Sequence, residues 1–152
     1  METGFLESWN NNFQYLSTVT IISWNIHGAK NKLESRDVFS FLCAYDIICL
    51  HEIKTALEIH LPGYVCYRGR DNDMHRGGSA IMIKNALSRY VESVRILSSD
   101  CLLMRMKNLP GITLATCYVP PDDSPYHTFA LITDIKNEMQ ENSLHRINLI
   151  GD

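Results

Sequence analysis

Three polar side chains stand where long apolar strands end: Asn25 after Ile21-Ile22-Ser23-Trp24, Glu52 after Ile47 to Leu50, and Asp152 after Ile147 to Ile150. If these runs are neighbouring strands of one sheet and point the same way, an amide and two carboxylates converge at one sheet edge, the position where α/β sheets place their ligands. That set suits a hard divalent cation such as Mg²⁺, which takes oxygen ligands and keeps several waters. Each residue alone has a second reading: an Asn after a strand forms turns, a Glu there is solvated, and a final Asp is a chain end. A fourth element is Tyr118-Val119-Pro120-Pro121, where two prolines end a strand and rigidly place the phenol before them. A phenol donates to a phosphate oxygen, or is simply a half-buried tyrosine at a strand end. The pair Gly77-Gly78 permits close backbone approach to a ligand, but a turn is the simpler reading.

The elements that must position these residues follow from hydrophobic periodicity. Val19 to Trp24 is a β-branched run that stops at Asn25 and Gly28, so it reads as a strand. Val38, Phe39, Leu42 and Tyr45 recur at helical spacing with Ser35 as N-cap, and Asp46 opens the next strand, Ile47 to Leu50. Strand, helix, strand with a short link predicts a right-handed parallel crossover. Tyr64 to Tyr67, Ser79 to Lys84, Val91 to Leu97, Cys101 to Met106 and Ile112 to Val119 then read as strands joined by short turns, including Leu109-Pro110-Gly111, and therefore as antiparallel. A second helix is predicted with Ser124 as cap, Pro125 at its first position and Phe129, Ile132, Ile135 and Met139 on one face. The expected class is α/β (α+β), a mixed sheet with outer helices.

Composition bounds the remaining choices. The chain has 152 residues, 45% apolar and 20% charged, enough for one compact domain and unlike a disordered chain. Residues 1–18 read as a polar leader, with room for a short helix, before a domain over 19–152. No apolar run exceeds five residues, against about 20 needed to cross a bilayer, so no membrane partner is expected. No basic and apolar signal segment opens the chain, which reads as intracellular, in nucleus or cytoplasm. Five cysteines, at 43, 49, 66, 101 and 117, lie in apolar segments without Cys-x-x-Cys spacing and read as buried free thiols. The net charge of −3 provides no global basic field, so phosphate binding must come from a local constellation.

Taken together, Ser23-Trp24-Asn25-Ile26-His27-Gly28, Asp46-Ile47-Ile48-Cys49-Leu50-His51-Glu52, Arg76-Gly77-Gly78-Ser79-Ala80-Ile81 and Tyr118-Val119-Pro120-Pro121, in this order, resemble the endonuclease/exonuclease/phosphatase superfamily, the DNase I-like fold. Gly151-Asp152 matches the start of the superfamily's Gly-Asp-Phe-Asn motif, and the resemblance covers roughly Val19 to Asp152. The Arg-Gly-Gly strand and the stretch from Tyr118 to Tyr126 are similar to the endonuclease domain of non-LTR retrotransposons and their domesticated derivatives; phosphatase branches usually lack the Tyr-x-Pro-Pro element. The resemblance implies the N-terminal part of a four-layer α/β sandwich and a site in which Glu52 ligates Mg²⁺, with Mn²⁺ as an alternative. It further implies that Asn25 positions the metal-side phosphate or water, Tyr118 contacts the scissile phosphate, and Asp152 orients or activates the attacking water. DNA is the implied substrate, and a downstream reverse transcriptase the implied neighbour in a parent element. His51 departs from the superfamily's usual Gln.

The superfamily's later Asn, Asp and Ser-Asp-His have no counterpart before residue 152, so the chain is expected to be a truncated, inactive domain whose sheet lacks the partner that covers its inward face. Two other functions fit the same residues: a non-catalytic binding remnant, indifferent to Mg²⁺, and a phosphomonoesterase of the same fold. Lys30, Lys32, Lys54, Arg68, Arg70 and Arg76 are local cations available for phosphate contact or for plain solvation.

Overall fold

A computed structural model describes residues 2–7, 18–69, 77–107, 113–120, 130–141 and 147–151. In chain order the elements are β1 (Glu2–Glu7), β2 (Thr18–Asn25), α1 (Arg36–Leu42), β3 (Ile47–His51), β4 (Tyr64–Arg68), β5 (Ala80–Lys84), α2 (Asn85–Ser88), β6 (Val91–Ser98), β7 (Cys101–Met106), β8 (Thr113–Cys117), α3 (Ala130–Glu141) and β9 (Ile147–Gly151). They form two sheets, ordered β1-β2-β3-β5-β4 and β6-β7-β8-β9. Strands β2 and β3 are parallel, with Asn25 opposite His51, as the predicted crossover requires. Pairings β3–β5, β4–β5, β6–β7 and β7–β8 are antiparallel, whereas β8 and β9 are parallel.

Successive residues of a strand point to opposite faces, and in the first sheet both faces are buried, which explains why its strands read as unbroken apolar runs. Val19, Ile21, Ile47, Cys49, Ile81 and Ile83 face the second sheet and pack on Leu102, Met104, Met106 and Leu114. Ile22, Ile48, Leu50 and Met82 face the other way and pack on Leu42 of α1 and on Ile26, Leu33, Ile53 and Leu61 from the loops. Val38, Phe39 and Tyr45 join that cluster as the helical spacing predicted, although the Ser35 side chain makes no capping bond. On the outer face of the second sheet Ile135 of α3 packs on Cys101 and Cys117. The expected uncovered inward face is therefore a correction: β6 to β8 leave the first sheet and fold back over it, so the chain supplies its own second layer.

At the start of the chain, residues 2–7 form strand β1, which pairs antiparallel with β2 from Glu2↔Ser23 to Glu7↔Thr18 and satisfies the backbone edge that β2 otherwise leaves open. Trp9, Phe13, Tyr15 and Leu16 lie outside the described residues, as do the predicted turn at Leu109-Pro110-Gly111 and the second helix's expected start at Ser124, Pro125 and Phe129. No described helix is long and apolar enough to cross a membrane.

The thiols divide by position. All five are free, but Cys43 at the end of α1 is exposed and Cys66 is half-buried, so only Cys49, Cys101 and Cys117 fit the expectation of burial. Apolar neighbours misled there, because the last turn of a helix can turn one side chain outward. Burial pushes the Cys49 thiol up to about 12 and Cys66 to about 11, which starves both of thiolate. Alkylation of the native chain at pH 8, read by peptide mass mapping, is expected to label Cys43 first and to leave Cys49, Cys101 and Cys117 unlabelled until the chain unfolds. Equal labelling of all five in the native state would contradict this packing.

Candidate functional site

The parallel pair β2–β3 brings Asn25 and Glu52 to the same sheet edge. Asn25 ends β2, its partner His51 ends β3, and the loops that follow run side by side: Ile26 N–H donates to His51 O at 3.0 Å, Gly28 N–H to Glu52 O at 2.8 Å and Ala29 N–H to Ile53 O at 2.9 Å. Three residues of these loops adopt left-handed backbone although none is glycine: His27 (φ 47°), Glu52 (φ 53°) and Lys54 (φ 50°). Each such conformation costs on the order of 1–2 kcal/mol, and such strain gathers at functional sites where the surroundings enforce it.

The enforcement is visible beneath the loop. Ile53 N–H donates to Gly78 O at 3.1 Å and Lys54 N–H to Gly77 O at 2.9 Å, so the carbonyls of the two glycines support the Glu52 loop from below. Gly78 has φ +86°, and its N–H donates to Asp100 Oδ1 at 2.8 Å. A Cβ on Gly77 would stand 2.8 Å from the same oxygen, so the absence of a side chain is what admits Asp100.

The side chains converge on one carboxylate. Glu52 Oε1 accepts from Asn25 Nδ2 at 3.1 Å and from the Tyr118 hydroxyl at 2.8 Å. Its Oε2 lies 2.9 Å from the Lys54 ammonium and 2.7 Å from His27 Nδ1. Asn25 Oδ1 in turn accepts from the His27 backbone N–H at 3.2 Å. Partial burial pushes the Glu52 carboxyl upward, but the hydrogen bonds from Lys54, Asn25, Tyr118 and His27 outweigh it and hold the group at about 2. A carboxylate kept ionised at neutral pH suits a divalent cation as an anchoring ligand, and the Lys54 ammonium beside it is the positive charge that such an ion would displace.

Of the four residues predicted from sequence, the structure brings together Asn25, Glu52 and Tyr118. Asp152 lies outside the described residues; the preceding Gly151 pairs with Cys117, next to Tyr118. Among the described residues no three His, Cys, Asp or Glu side chains form a ready-made cage. Mg²⁺ does not require one, since it is commonly held by one or two carboxylates plus waters and substrate phosphate, and the single Glu52 carboxylate, whose neighbours are the nitrogens of Asn25, His27 and Lys54 and the Tyr118 hydroxyl, fits that minimum.

Sequence alone offers Lys54 as a loop cation for phosphate contact and marks His51 as a departure from the superfamily's usual Gln, but it ties neither to Glu52 or Tyr118 and gives His27 no role; the left-handed backbone of His27 and Lys54, invisible in a residue list, turns both onto Glu52. His51 is fully buried, with Nδ1 2.9 Å from Ser79 Oγ and Nε2 3.2 Å from Thr116 Oγ1, and its ring stacks on Tyr118 with centroids 6.2 Å apart. It thus ties the first sheet to the second and sets the phenol's ring; its place at the end of an otherwise apolar strand was the available signal. The predicted cations are largely engaged inside the chain. Lys32 donates to the carbonyl oxygens of Ile26 and His27, and Arg68 to those of Leu57 and Thr55 at 2.6 Å each. Arg70 and Arg76 lie outside the described residues. A separate cleft of about 590 Å³, lined by Lys30, Arg36, Thr55, Leu57 and His60 among others, shares these loops but contains none of Asn25, Glu52 or Tyr118.

No protein-family model matches the chain, and no curated protein matches it in sequence. Solved structures do. An AP endonuclease from Archaeoglobus fulgidus superimposes with a TM-score of 0.62 at 17% identity, over 88% of this chain and 56% of that one. The AP endonuclease of Leishmania major gives 0.65 at 17% identity, over 87% and 54%. A 3′ phosphatase from Neisseria, solved with a product DNA hairpin, gives 0.61 at 19% identity, over 87% and 56%. The fold is therefore the DNase I-like α/β sandwich, and the chain spans a little over half the length of these neighbours.

Proposed function

We propose that this chain supplies the metal-anchoring part of a Mg²⁺-dependent phosphodiesterase that cleaves DNA, of the retroelement endonuclease type. The observation that carries the reading is the convergence of Asn25, Tyr118, His27 and Lys54 on the ionised Glu52 carboxylate at the carboxyl ends of two parallel strands. Glu52 would hold the cation, with Asn25 beside it, and the bound metal would supply charge neutralisation at the phosphoryl oxygens. Asn25 keeps the carboxylate oriented through its amide N–H and presents polar groups to the phosphate or water. The Tyr118 hydroxyl, held by the ring stack on His51, would exchange its bond to Glu52 for one to a phosphate oxygen as negative charge develops there. Asp152 is assigned the proton-accepting role toward the attacking water.

DNA as substrate rests on the neighbours, which include AP endonucleases and a phosphatase bound to a DNA hairpin, and the retroelement type rests on the Tyr118-Val119-Pro120-Pro121 element. A reverse transcriptase partner belongs to the same reading. Because this chain spans little more than half the length of these neighbours, cleavage is assigned to a longer chain that carries this segment. The test is nicking of supercoiled plasmid by the 152-residue chain and by a C-terminally extended version. Mg²⁺-dependent nicking by the extended chain, lost with EDTA and weak or absent in the shorter one, is the expected result. Hydrolysis of small phosphate monoesters with no action on DNA would replace this reading with the phosphomonoesterase one.

A further inference from the structure

Two of the five thiols face each other across a strand pair. Cys101 of β7 lies directly opposite Cys117 of β8, and just outside them the Tyr118 N–H donates to the Asp100 carbonyl at 3.0 Å. That bond puts the cysteines at a non-hydrogen-bonded position of the antiparallel ladder, where the Cα atoms come within about 4.5 Å and the side chains lie closest. Their sulfurs are 2.9 Å apart, nearer than an ordinary van der Waals contact, and both thiols are free. Disulfides span Cα separations of roughly 4.4–6.8 Å with sulfurs about 2.05 Å apart, so this pair needs a small approach of the sulfurs and no shift of either strand. Leu97 and Ile135 of α3 pack over it, with Cys101 fully buried and Cys117 5% exposed. Packing alone does not call for sulfur there, since a buried free Cys behaves as a small apolar residue. The two thiols also differ. Cys101 donates its S–H to the Cys117 sulfur, and that bond, with burial and the negative charges of Cys117, Asp134 and Asp100, keeps the proton on Cys101. The same bond favours the thiolate of Cys117 and moves its pKa down against the effect of burial.

We propose that Cys101 and Cys117 form a redox modification site, which hydrogen peroxide converts from a dithiol to a cross-strand disulfide and which thiol reductants restore. The Cys117 sulfur attacks one peroxide oxygen, the O–O bond breaks, and the departing hydroxide takes up the Cys117 proton as water, leaving a sulfenic acid. The Cys101 sulfur then attacks the sulfenic sulfur; the S–S bond forms, the S–O bond breaks, and the second hydroxide leaves as water with the Cys101 proton. Two thiols are oxidised and one peroxide is reduced to two waters. Because the resolving thiol is already in contact, the sulfenic acid is consumed before it can advance to the irreversible sulfinic acid. The product staples β7 to β8 next to Tyr118.

The test is exposure of the folded 152-residue chain to a small excess of hydrogen peroxide near neutral pH, followed by acid quenching, blocking of free thiols and peptide mass mapping. The expected product is a peptide pair joined through Cys101 and Cys117, lighter than the two thiol peptides by two hydrogens, while Cys49 and Cys66 remain thiols; dithiothreitol should return the pair fully to thiols. Cys101→Ser should leave Cys117 as a sulfenic acid that dimedone traps on unfolding, and Cys117→Ser should slow the oxidation of Cys101 by about 10-fold or more. The wild-type cross-link is read without either variant, so it decides the question even if a substitution upsets the fold. Oxidation confined to Cys43, a disulfide joining any other pair, or sulfinic acid at Cys117 without a cross-link overturns the proposal. No metal or DNA enters this assay, so its outcome is separate from the reading of Glu52 as a metal ligand.

Discussion

Alanine at His51 is expected to lower the unfolding free energy by about 3–4 kcal/mol, a large part of the 5–15 kcal/mol typical of a domain. The imidazole is fully buried and bonded at both nitrogens, to Ser79 Oγ on the first sheet's side and to Thr116 Oγ1 on β8. Truncation leaves two buried hydroxyls short of a partner, at about 1–3 kcal/mol each when nothing replaces it, and adds a cavity of ring size between the sheets. Ser79 Oγ retains a 3.4 Å contact to the Asp100 carbonyl, which holds the total below the sum of these terms. His51→Gln offers an amide donor and acceptor in similar positions, so its loss should stay near 1 kcal/mol. Urea unfolding of the two variants measures the difference. An alanine variant within about 0.5 kcal/mol of wild type would show that His51 does not join the sheets.

Glu52→Gln is expected to cut Mg²⁺-dependent cleavage in the extended chain by on the order of 10²–10³-fold, because the amide keeps the shape of the side chain and loses the charge that anchors the cation. The same substitution changes stability with a defined pH dependence. The folded-state carboxyl is held at about 2 against an ordinary 4.5, so it binds its proton less readily in the folded chain than in the unfolded one. A depressed pKa stabilises the fold above the unfolded value and ceases to do so as pH falls through the folded value. The melting temperatures of wild type and Glu52→Gln should therefore differ between pH 5 and 7, by the equivalent of about 1–2 kcal/mol, and converge as the pH approaches about 2. A gap that persists unchanged into strong acid would mean that Glu52 is not the charged centre of these hydrogen bonds.

Much of the site was legible because parallel strands force it. Once Ile21 to Trp24 and Ile47 to Leu50 are read as neighbouring strands with a crossover between them, Asn25 and Glu52 must meet, and they do at 3.1 Å. Tyr118 was reachable from the two prolines that stop its strand. The roles of His27 and Lys54 were not, since both depend on positive φ at residues that carry a Cβ, which propensity argues against. The support that Gly77-Gly78 gives the Glu52 loop was hidden, because local sequence cannot show that a loop from another strand will lie on it. The partition of β6 to β8 into a second sheet was hidden for a similar reason: antiparallel neighbours look alike in sequence whether they extend a sheet or fold over it. The outward turn of Cys43 depends on helix phase at a terminus, the least certain part of any periodicity reading.

Crystals of this chain soaked in Mn²⁺ and measured at the manganese absorption edge should show an anomalous difference peak within about 2–2.6 Å of the Glu52 carboxylate, at the edge where Asn25 and Tyr118 meet it. A structure with no peak there, or with Asn25, Glu52 and Tyr118 apart on different faces, would contradict the assignment of Glu52 as the metal anchor.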